Sequence, residues 1–348
     1  MTARIAIVGA GANGAAVGAD LIRAGRDVTL IEQWPAHVEA MRADGVRVEM
    51  QLPDGATEVE TTEARVHHLC EVVELRGTFD VVLLLVKAYD TRWAAELIRP
   101  LLADDGLMVG VQNGMTAATV ADVAGPSRTL GCVIEVSSTM YEPGIIHRHT
   151  PRERSWFAVG GLTPAMRDRE PELADLLGDA AASVARFDDI LAAKWMKLVS
   201  NASVLVTTAS LGMPMLDAID VPGMRDLMIR AGQEALDVGG ALGYPVLPIF
   251  GLTPEEVAEP EAVVATMLDK LYTGFVRPGA TTTVLQDWTK RRRSEAGDLN
   301  GRVVLEAAAV GVATPVNAAL VEVARRIEEH ELEPSPANLD LILRLADD

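Results

Sequence analysis

Only two cysteines, Cys70 and Cys132, occur in the 348 residues, and without metal-ligand spacing they exclude a disulfide framework and a structural zinc site. Both are expected to be ordinary buried thiols. Although 49% of the chain is hydrophobic, no apolar run reaches the roughly 20 residues that cross a bilayer, so no membrane partner is expected. Nothing ahead of the first apolar strand resembles a secretory signal, and the expected location is the cytoplasm. Basic residues are scarce: 31 Lys and Arg stand against 50 Asp and Glu, and a net charge of -19 repels phosphate backbones, which excludes nucleic acid. The one basic cluster, Lys290-Arg291-Arg292-Arg293, falls in an expected helix, where it suits a solvated face or an anion contact. There is no internal repeat and no low-complexity segment.

The length exceeds the roughly 250 to 300 residues at which a single core stops growing, so two domains are expected, residues 1–187 and 188–348. The run Ile5-Ala6-Ile7-Val8 reads as a strand buried on both faces. A helix over Ala15 to Ala24 and a strand over Asp27 to Ile31 complete one βαβ unit. Further strands are expected at Asp80 to Val86, Leu107 to Val111, Thr129 to Thr139 and Ser155 to Val159, with helices at Thr91 to Leu102 and Glu170 to Ala185. The alternation predicts a parallel, doubly wound α/β sheet. Beyond Phe187 the segments Ala192 to Ser203, Gly223 to Leu242 and Leu299 to Ala309 predict an all-α second domain, interrupted by a connector over Tyr244 to Pro260.

Between the first strand and helix lies Gly9-Ala10-Gly11-Ala12-Asn13-Gly14, a G-x-G-x-x-G turn in its proper context. Gly9 serves the tight turn, Gly11 the approach of a pyrophosphate and Gly14 the packing of helix on strand. This is the signature of a Rossmann-type dinucleotide-binding domain. Gly9, Gly11, Ala12, Asn13 and Gly14 are therefore candidate cofactor contacts, the helix N-terminus offering its N–H groups to phosphate. Glu32, roughly 20 residues on at the end of the second strand, suits the ribose hydroxyls and favours NAD(H). NADP(H) stays open, with Arg42 the nearest base downstream.

Three clusters outside the glycine turn carry candidate chemistry: Lys87, then Gln112-Asn113-Gly114, then Lys194-Trp195-Met196-Lys197 with Asn201. The first two follow parallel strands at the edge where open α/β sheets bind ligands. Lys197 and Asn201 share one helix face, being four residues apart. None of the six histidines stands out as an acid or base; His67 and His68 fall in an apparent loop, and His147 and His149 flank a strand.

Taken in order, GAGANG at Gly9 to Gly14, VKAYDT at Val86 to Thr91, QNGM at Gln112 to Met115, KWMKLVSN at Lys194 to Asn201, TTVLQDW at Thr282 to Trp288, Glu295 and GVATPVN at Gly311 to Asn317 resemble the ketopantoate reductase family over nearly the whole chain. The resemblance implies that Lys197 is the general acid at a substrate carbonyl, with Glu295 and Asn201 beside it in the catalytic group. It also implies that Lys87 and Asn113 line the cofactor and carbonyl end of the site, and that Asn113, Asn201 and Thr283 bind substrate. A plainer reading makes Glu295 a partner of the basic cluster on a shared helix. Two departures bear on the substrate: Leu205 stands where the family commonly has a second asparagine, and Thr283 replaces its usual serine.

The function so implied is hydride transfer from a nicotinamide cofactor to a small 2-oxo acid, 2-dehydropantoate or a related compound. Two alternatives stand beside it: a hydroxy-acid or hydroxyacyl dehydrogenase working oxidatively, and an NAD(P)H-binding redox sensor. A homodimer is the expected assembly, from the commonest symmetry among oligomers.

Overall fold

A computed structural model describes residues 2–52 and 56–347. The chain divides into two compact units, Met1–Ile190 and Leu191–Asp348.

The first unit is α/β. Its strands are β1 (Arg4–Val8), β2 (Asp27–Glu32), β3 (Val46–Gln51), β4 (Thr57–Thr62), β5 (Arg65–His68), β6 (Phe79–Leu84), β7 (Leu102–Gly110), β8 (Thr129–Glu135), β9 (Ser138–Thr139), β10 (Ile145–Arg148), β11 (Trp156–Gly161) and β12 (Ser183–Arg186). Helices α1 (Ala12–Arg23), α2 (Pro35–Asp44), α3 (Thr91–Ile98), α4 (Ala117–Ala124) and α5 (Glu170–Gly178) alternate with them. The main sheet runs β12-β11-β8-β7-β6-β1-β2-β5. From β5 to β8 every pairing is parallel. These six strands have the doubly wound Rossmann order, and the order reverses between β1 and β6.

Why the strands are apolar throughout follows from burial on both faces. Ile5 and Ile7 of β1 join Val81, Leu83, Leu107 and Val109 in one core. Ala6 and Val8 face the other way and join Val82, Leu84 and Met108 in a second. Alternate residues thus feed separate layers, one under each set of helices.

Several expectations need correction. The sheet is not wholly parallel, because β11 pairs antiparallel with β8. The expected strand at Thr129 to Thr139 breaks after Glu135, and β9 joins a separate sheet of order β4-β3-β10-β9. The expected helix over Glu170 to Ala185 ends at Gly178, and the β-branched Val184 lies in the edge strand β12. His67 and His68 belong to β5 rather than a loop. Cys132 is buried, but Cys70 is exposed.

The small sheet packs on α1 and is tied to it by a buried ion pair. Asp20 of α1 accepts from Arg148 of β10 at 2.5 Å, with relative exposures of 0% and 5% that make the pair nearly inaccessible to screening ions. Arg148 also donates to Thr150 O at 2.8 Å and Ser155 Oγ at 3.0 Å, so its guanidinium is satisfied inside the fold.

The second unit is helical: α6 (Ile190–Ser210, beginning one residue before the division), α7 (Met215–Ile219), α8 (Met224–Ala241), α9 (Pro254–Val257), α10 (Pro260–Gly274), α11 (Thr283–Thr289), α12 (Asn300–Val310), α13 (Pro315–Glu328) and α14 (Asn338–Asp347). The basic cluster Lys290 to Arg293 lies past the end of α11, and Glu295 sits in the following turn, so neither shares a helix with the other. Arg291 has a left-handed backbone, φ 54°, which ends the helix there. Glu234 of α8 accepts from the backbone N–H groups of Val316 and Asn317, both at 2.9 Å, and so caps the start of α13 across the bundle. No helix among the described residues is long and apolar enough to cross a membrane.

Candidate active site

The glycine turn joins β1 to α1 at the reversal point of the sheet. Gly9 has φ 93°, and a Cβ there would meet the backbone N of Val86, just past β6, at 2.5 Å. A Cβ on Gly14 would lie 2.1 Å from the carbonyl oxygen of Gly9. Both positions therefore admit only glycine, for reasons internal to the fold. Gly11 differs: nothing lies within 4 Å of its Cβ position. The space over Gly11 is open where an anion would approach. Gly11 caps α1 without a side-chain hydrogen bond, and no acidic residue occupies the first turn. The helix's own first turn thus offers no carboxylate to offset its positive end. Asn13 Oδ1, in that turn, is buried with no hydrogen-bond partner. An open Gly11 and helix N–H groups left without a side-chain cap fit a dinucleotide pyrophosphate, while the Asn13 amide oxygen, an acceptor, suits a donor rather than a phosphate.

Glu32 ends β2 with a relative exposure of 6%, and its Oε1 accepts from Trp34 N–H at 3.0 Å, which fixes the carboxylate beside the turn. Arg42 points elsewhere, donating to Val66 O at 3.0 Å and pairing with Glu39 and Glu71. Its guanidinium holds the Glu71 carboxyl down at about 2. An open pocket of about 640 Å³ beside β2 is lined by Gln33, Pro35, His68, Leu69 and Trp93 among others.

His37 was not legible as a functional residue, yet it braces the glycine turn. Fully buried, it accepts from Gly144 N–H on Nδ1 at 2.8 Å and donates from Nε2 to Ala10 O at 3.0 Å. The pair of bonds fits the neutral ring alone, and burial lowers its pKa.

At the next strand ends, Lys87 is half-buried and follows β6, while Asn113 follows β7. Gln112 links the two segments: its Nε2 donates to Val86 O at 2.7 Å and Thr91 Oγ1 at 3.0 Å. Gly114 turns the chain with φ 71°. The Gln112-Asn113-Gly114 motif thus contains a cross-link, a candidate ligand residue and a glycine turn.

In the second unit Lys197 and Asn201 lie on α6, one helical turn apart and on one face. Asn201 is 5% exposed, whereas Lys197 is half-buried and its amine is pushed down to about 7 by burial. At that value both the ammonium and the free amine are populated near neutrality, which suits proton transfer. Phe250 places its ring 5.1 Å from Lys197 Nζ. Thr283 Oγ1, at the start of α11, is buried with no partner. Thr282 precedes it, donating to Leu205 O at 3.1 Å and accepting from Leu285 N–H at 3.3 Å. Glu295 is 5% exposed, and the turn that carries it is anchored through Ser294. Glu328 Oε1 accepts from Ser294 N at 2.9 Å, Ser294 Oγ at 2.6 Å and Trp288 Nε1 at 3.2 Å.

Two family models cover most of the chain: "Ketopantoate reductase PanE/ApbA" over residues 5–160 and "Ketopantoate reductase PanE/ApbA C terminal" over residues 189–328. The chain belongs to the ketopantoate reductase family. A 2-dehydropantoate 2-reductase of Mesorhizobium japonicum is 30% identical over 266 residues, which span 70% of this chain and 78% of that protein. A PanE/ApbA family ketopantoate reductase from Ralstonia eutropha superposes with a TM-score of 0.77 at 27% identity, covering 94% of this chain and 99% of that one. A D-mandelate dehydrogenase solved with NADH and anilino(oxo)acetate shares the fold, with a TM-score of 0.81 at 19% identity over 94% and 99% of the two chains. The protein is a nicotinamide-dependent oxidoreductase acting on a CH–OH group, which sets aside the redox-sensor reading.

Phe250 and His37 escaped the sequence reading of this family member. Neither belongs to a motif, and each acts on a residue far from it in the chain or across a loop. The one sequence sign at Phe250 is its position before Gly251, in a proline-rich connector.

Proposed function

We propose that the protein reduces the carbonyl of a 2-oxo acid, with 2-dehydropantoate the first substrate to test and Lys197 the general acid. The observation that carries this reading is the half-buried Lys197 on α6, its amine lowered to about 7, one turn from Asn201. A buried ammonium next to a carbonyl oxygen stabilises the charge that develops there and then releases its proton to it. When bound, the reduced nicotinamide supplies hydride to the carbonyl carbon. Lys197 supplies the proton to oxygen, so the C=O becomes CH–OH and the free amine regains a proton from solvent.

The remaining residues take binding roles in this reading. Asn201 and Thr283 orient the substrate, and Glu295 supports Lys197 and contacts a substrate hydroxyl or its replacement. Gly9, Gly11, Ala12, Asn13 and Gly14 hold the pyrophosphate, with Lys87 and Asn113 toward the nicotinamide. Residues 1–187 would be the cofactor domain and 188–348 the substrate domain. For the coenzyme we favour NADH, because Glu32 presents a carboxylate and Arg42 is already engaged by Val66, Glu39 and Glu71. The same amine, when neutral, would accept a proton from an alcohol, so oxidation of a hydroxy acid is the reverse of this reaction on one set of residues. A cytoplasmic homodimer completes the proposal, to be checked by fractionation and by sedimentation of the purified protein.

NADH and NADPH oxidation with 2-dehydropantoate and a panel of 2-oxo acids, using Lys197→Ala as the blank, tests the reading. Turnover that the blank retains would remove Lys197 from the chemistry.

A further inference from the structure

The connector between α8 and α9 is folded down onto α6 at two places. Tyr244 stacks on Trp195 with ring centroids 5.5 Å apart, and Trp195 is itself held by a 2.9 Å bond from Nε1 to Ala235 O. Five residues later Ile249 and Leu252 are buried on either side of Phe250, with exposures of 4% and 5% that leave the loop little freedom to lift. The far end is closed by Thr253, whose capping box with Glu256 starts α9, and Glu256 pairs with Lys270 of α10 at 3.1 Å. Between these anchors Phe250 has φ 58°, a conformation that costs a bulky aromatic residue and is ordinarily left to glycine. Its ring is carried to 5.1 Å from Lys197 Nζ.

Leu205 continues the helix face of Lys197 and Asn201, two turns or about 12 Å along α6 from the lysine. Its side chain is half-buried and offers no hydrogen bond. At the adjoining end of α11, Thr282 is committed to Leu205 O and to Leu285 N–H, leaving Thr283 Oγ1 as a buried hydroxyl without a partner. One end of this face thus presents an aromatic ring over the ammonium, and the other presents a leucine beside a single hydroxyl.

We propose that Phe250, together with Leu205, determines specificity, selecting 2-oxo acids whose substituent next to the carbonyl is bulky and apolar, branched or aromatic, over those that carry a hydroxyl there. The inference deepens the proposed reduction and rests on it. Apolar groups gain by burial against the ring and the leucine, while a hydroxyl set against those two side chains gives up water for surfaces that offer it no hydrogen bond and must turn to Thr283 or Glu295 for a partner. The ring also shields the ammonium from water, in keeping with the lowered pKa of Lys197.

The test compares kcat/KM with NADH for pyruvate, 2-dehydropantoate, its deoxy analogue 3,3-dimethyl-2-oxobutanoate, and phenylglyoxylate. Phe250→Gly removes the ring and suits the left-handed backbone, so the fold is kept; Leu205→Asn restores an amide. The wild type should prefer the deoxy analogue to 2-dehydropantoate by about tenfold or more. Phe250→Gly should lower the ratio of phenylglyoxylate to pyruvate by about 10- to 100-fold. Leu205→Asn should move the preference toward 2-dehydropantoate. Ratios unchanged by Phe250→Gly, or a wild-type preference for the hydroxylated acid, would overturn the inference and leave the reduction standing. A wild type that binds NADH but reduces none of the four would overturn both.

Discussion

If Lys197 is the acid, the pH dependence of kcat/KM for reduction must follow its protonation in the free enzyme. An ordinary lysine titrates near 10.5, but burial brings this one to about 7. The charged form is the active one in the reductive direction. Activity should therefore sit on a plateau below pH 7 and fall as pH rises through that value, by about tenfold at pH 8 and about a hundredfold at pH 9, one unit of log rate per pH unit. The oxidative direction should rise over the same interval, since it needs the free amine. Initial rates of NADH oxidation at subsaturating 2-oxo acid, taken from pH 5.5 to 9.5, read the profile directly. Lys197→Arg supplies the control: a guanidinium does not release its proton in this range, so the limb should vanish along with most of the rate. A wild-type profile that stays flat through pH 9 would show either that the amine is not buried as the structure has it or that another group gives the proton.

Further expectations concern the cofactor unit. Gly11→Ala should leave the thermal midpoint unchanged, because its Cβ meets nothing within 4 Å, yet weaken dinucleotide binding about tenfold or more; Gly14→Ala should lower the midpoint itself, because its Cβ would lie 2.1 Å from Gly9 O. Calorimetry and fluorescence titration of both variants separate the two effects, and equal behaviour would refute the distinction. Glu32→Ala should weaken NADH more than NADPH, and an unaltered preference ratio would take Glu32 out of the ribose site. His37 has its pKa lowered by burial, so its contribution to stability is complete above the unfolded value of 6.5 and is lost as pH falls through the folded one. His67 and His149 are shifted the same way by burial, and the informative quantity is the difference between wild type and His37→Gln below pH 6.5. Wild type should lose more stability than His37→Gln as pH falls below 6.5, and parallel curves of unfolding free energy against pH would refute the contribution assigned to His37.

The parts of the fold that were legible in the sequence are those written in local pattern. The apolar runs of β1, β2 and β6, the glycine turn and the long apolar helices α6, α8 and α12 all announce themselves within a few residues. The small sheet did not, because β4, reading Thr-Glu-Val-Glu-Thr-Thr, is mostly exposed and has no apolar face to see. Nor did β12, whose four residues Ser-Val-Ala-Arg, exposed at both ends and half-buried between, read as the tail of a helix. Cys70 sits exposed on a short 3-10 helix, Leu69–Glu74, where small thiols are unusual enough that burial was the natural expectation. Most of the side chains proposed to meet a ligand fall within motifs, while the residues that brace the candidate site come from afar: His37 reaches Gly144, Glu328 reaches Ser294, and Phe250 reaches Lys197.

Those distant supports explain how a lysine can be kept both uncomfortable and in place. Burial alone would push Lys197 toward any opening in the bundle, since an ammonium gains by reaching water. Two sets of contacts bear on Lys197 and its helix, and a third holds the turn of the proposed partner Glu295. Asn300 donates to Ala202 O and to Asn317 Oδ1, both at 2.9 Å, and Asn317 donates on to Ala231 O and Glu234, so α6 is pinned to α8, α12 and α13 at the residue next to Asn201. Glu328 fixes the turn that bears Glu295 through Ser294. The strap from Tyr244 to Leu252 lays Phe250 beside the amine itself. Within the GVATPVN motif, Asn317 is thus a buried brace. The depressed lysine and the rigid frame are one arrangement, because only a site that cannot relax can keep an amine near a pKa of about 7 rather than let it return to water.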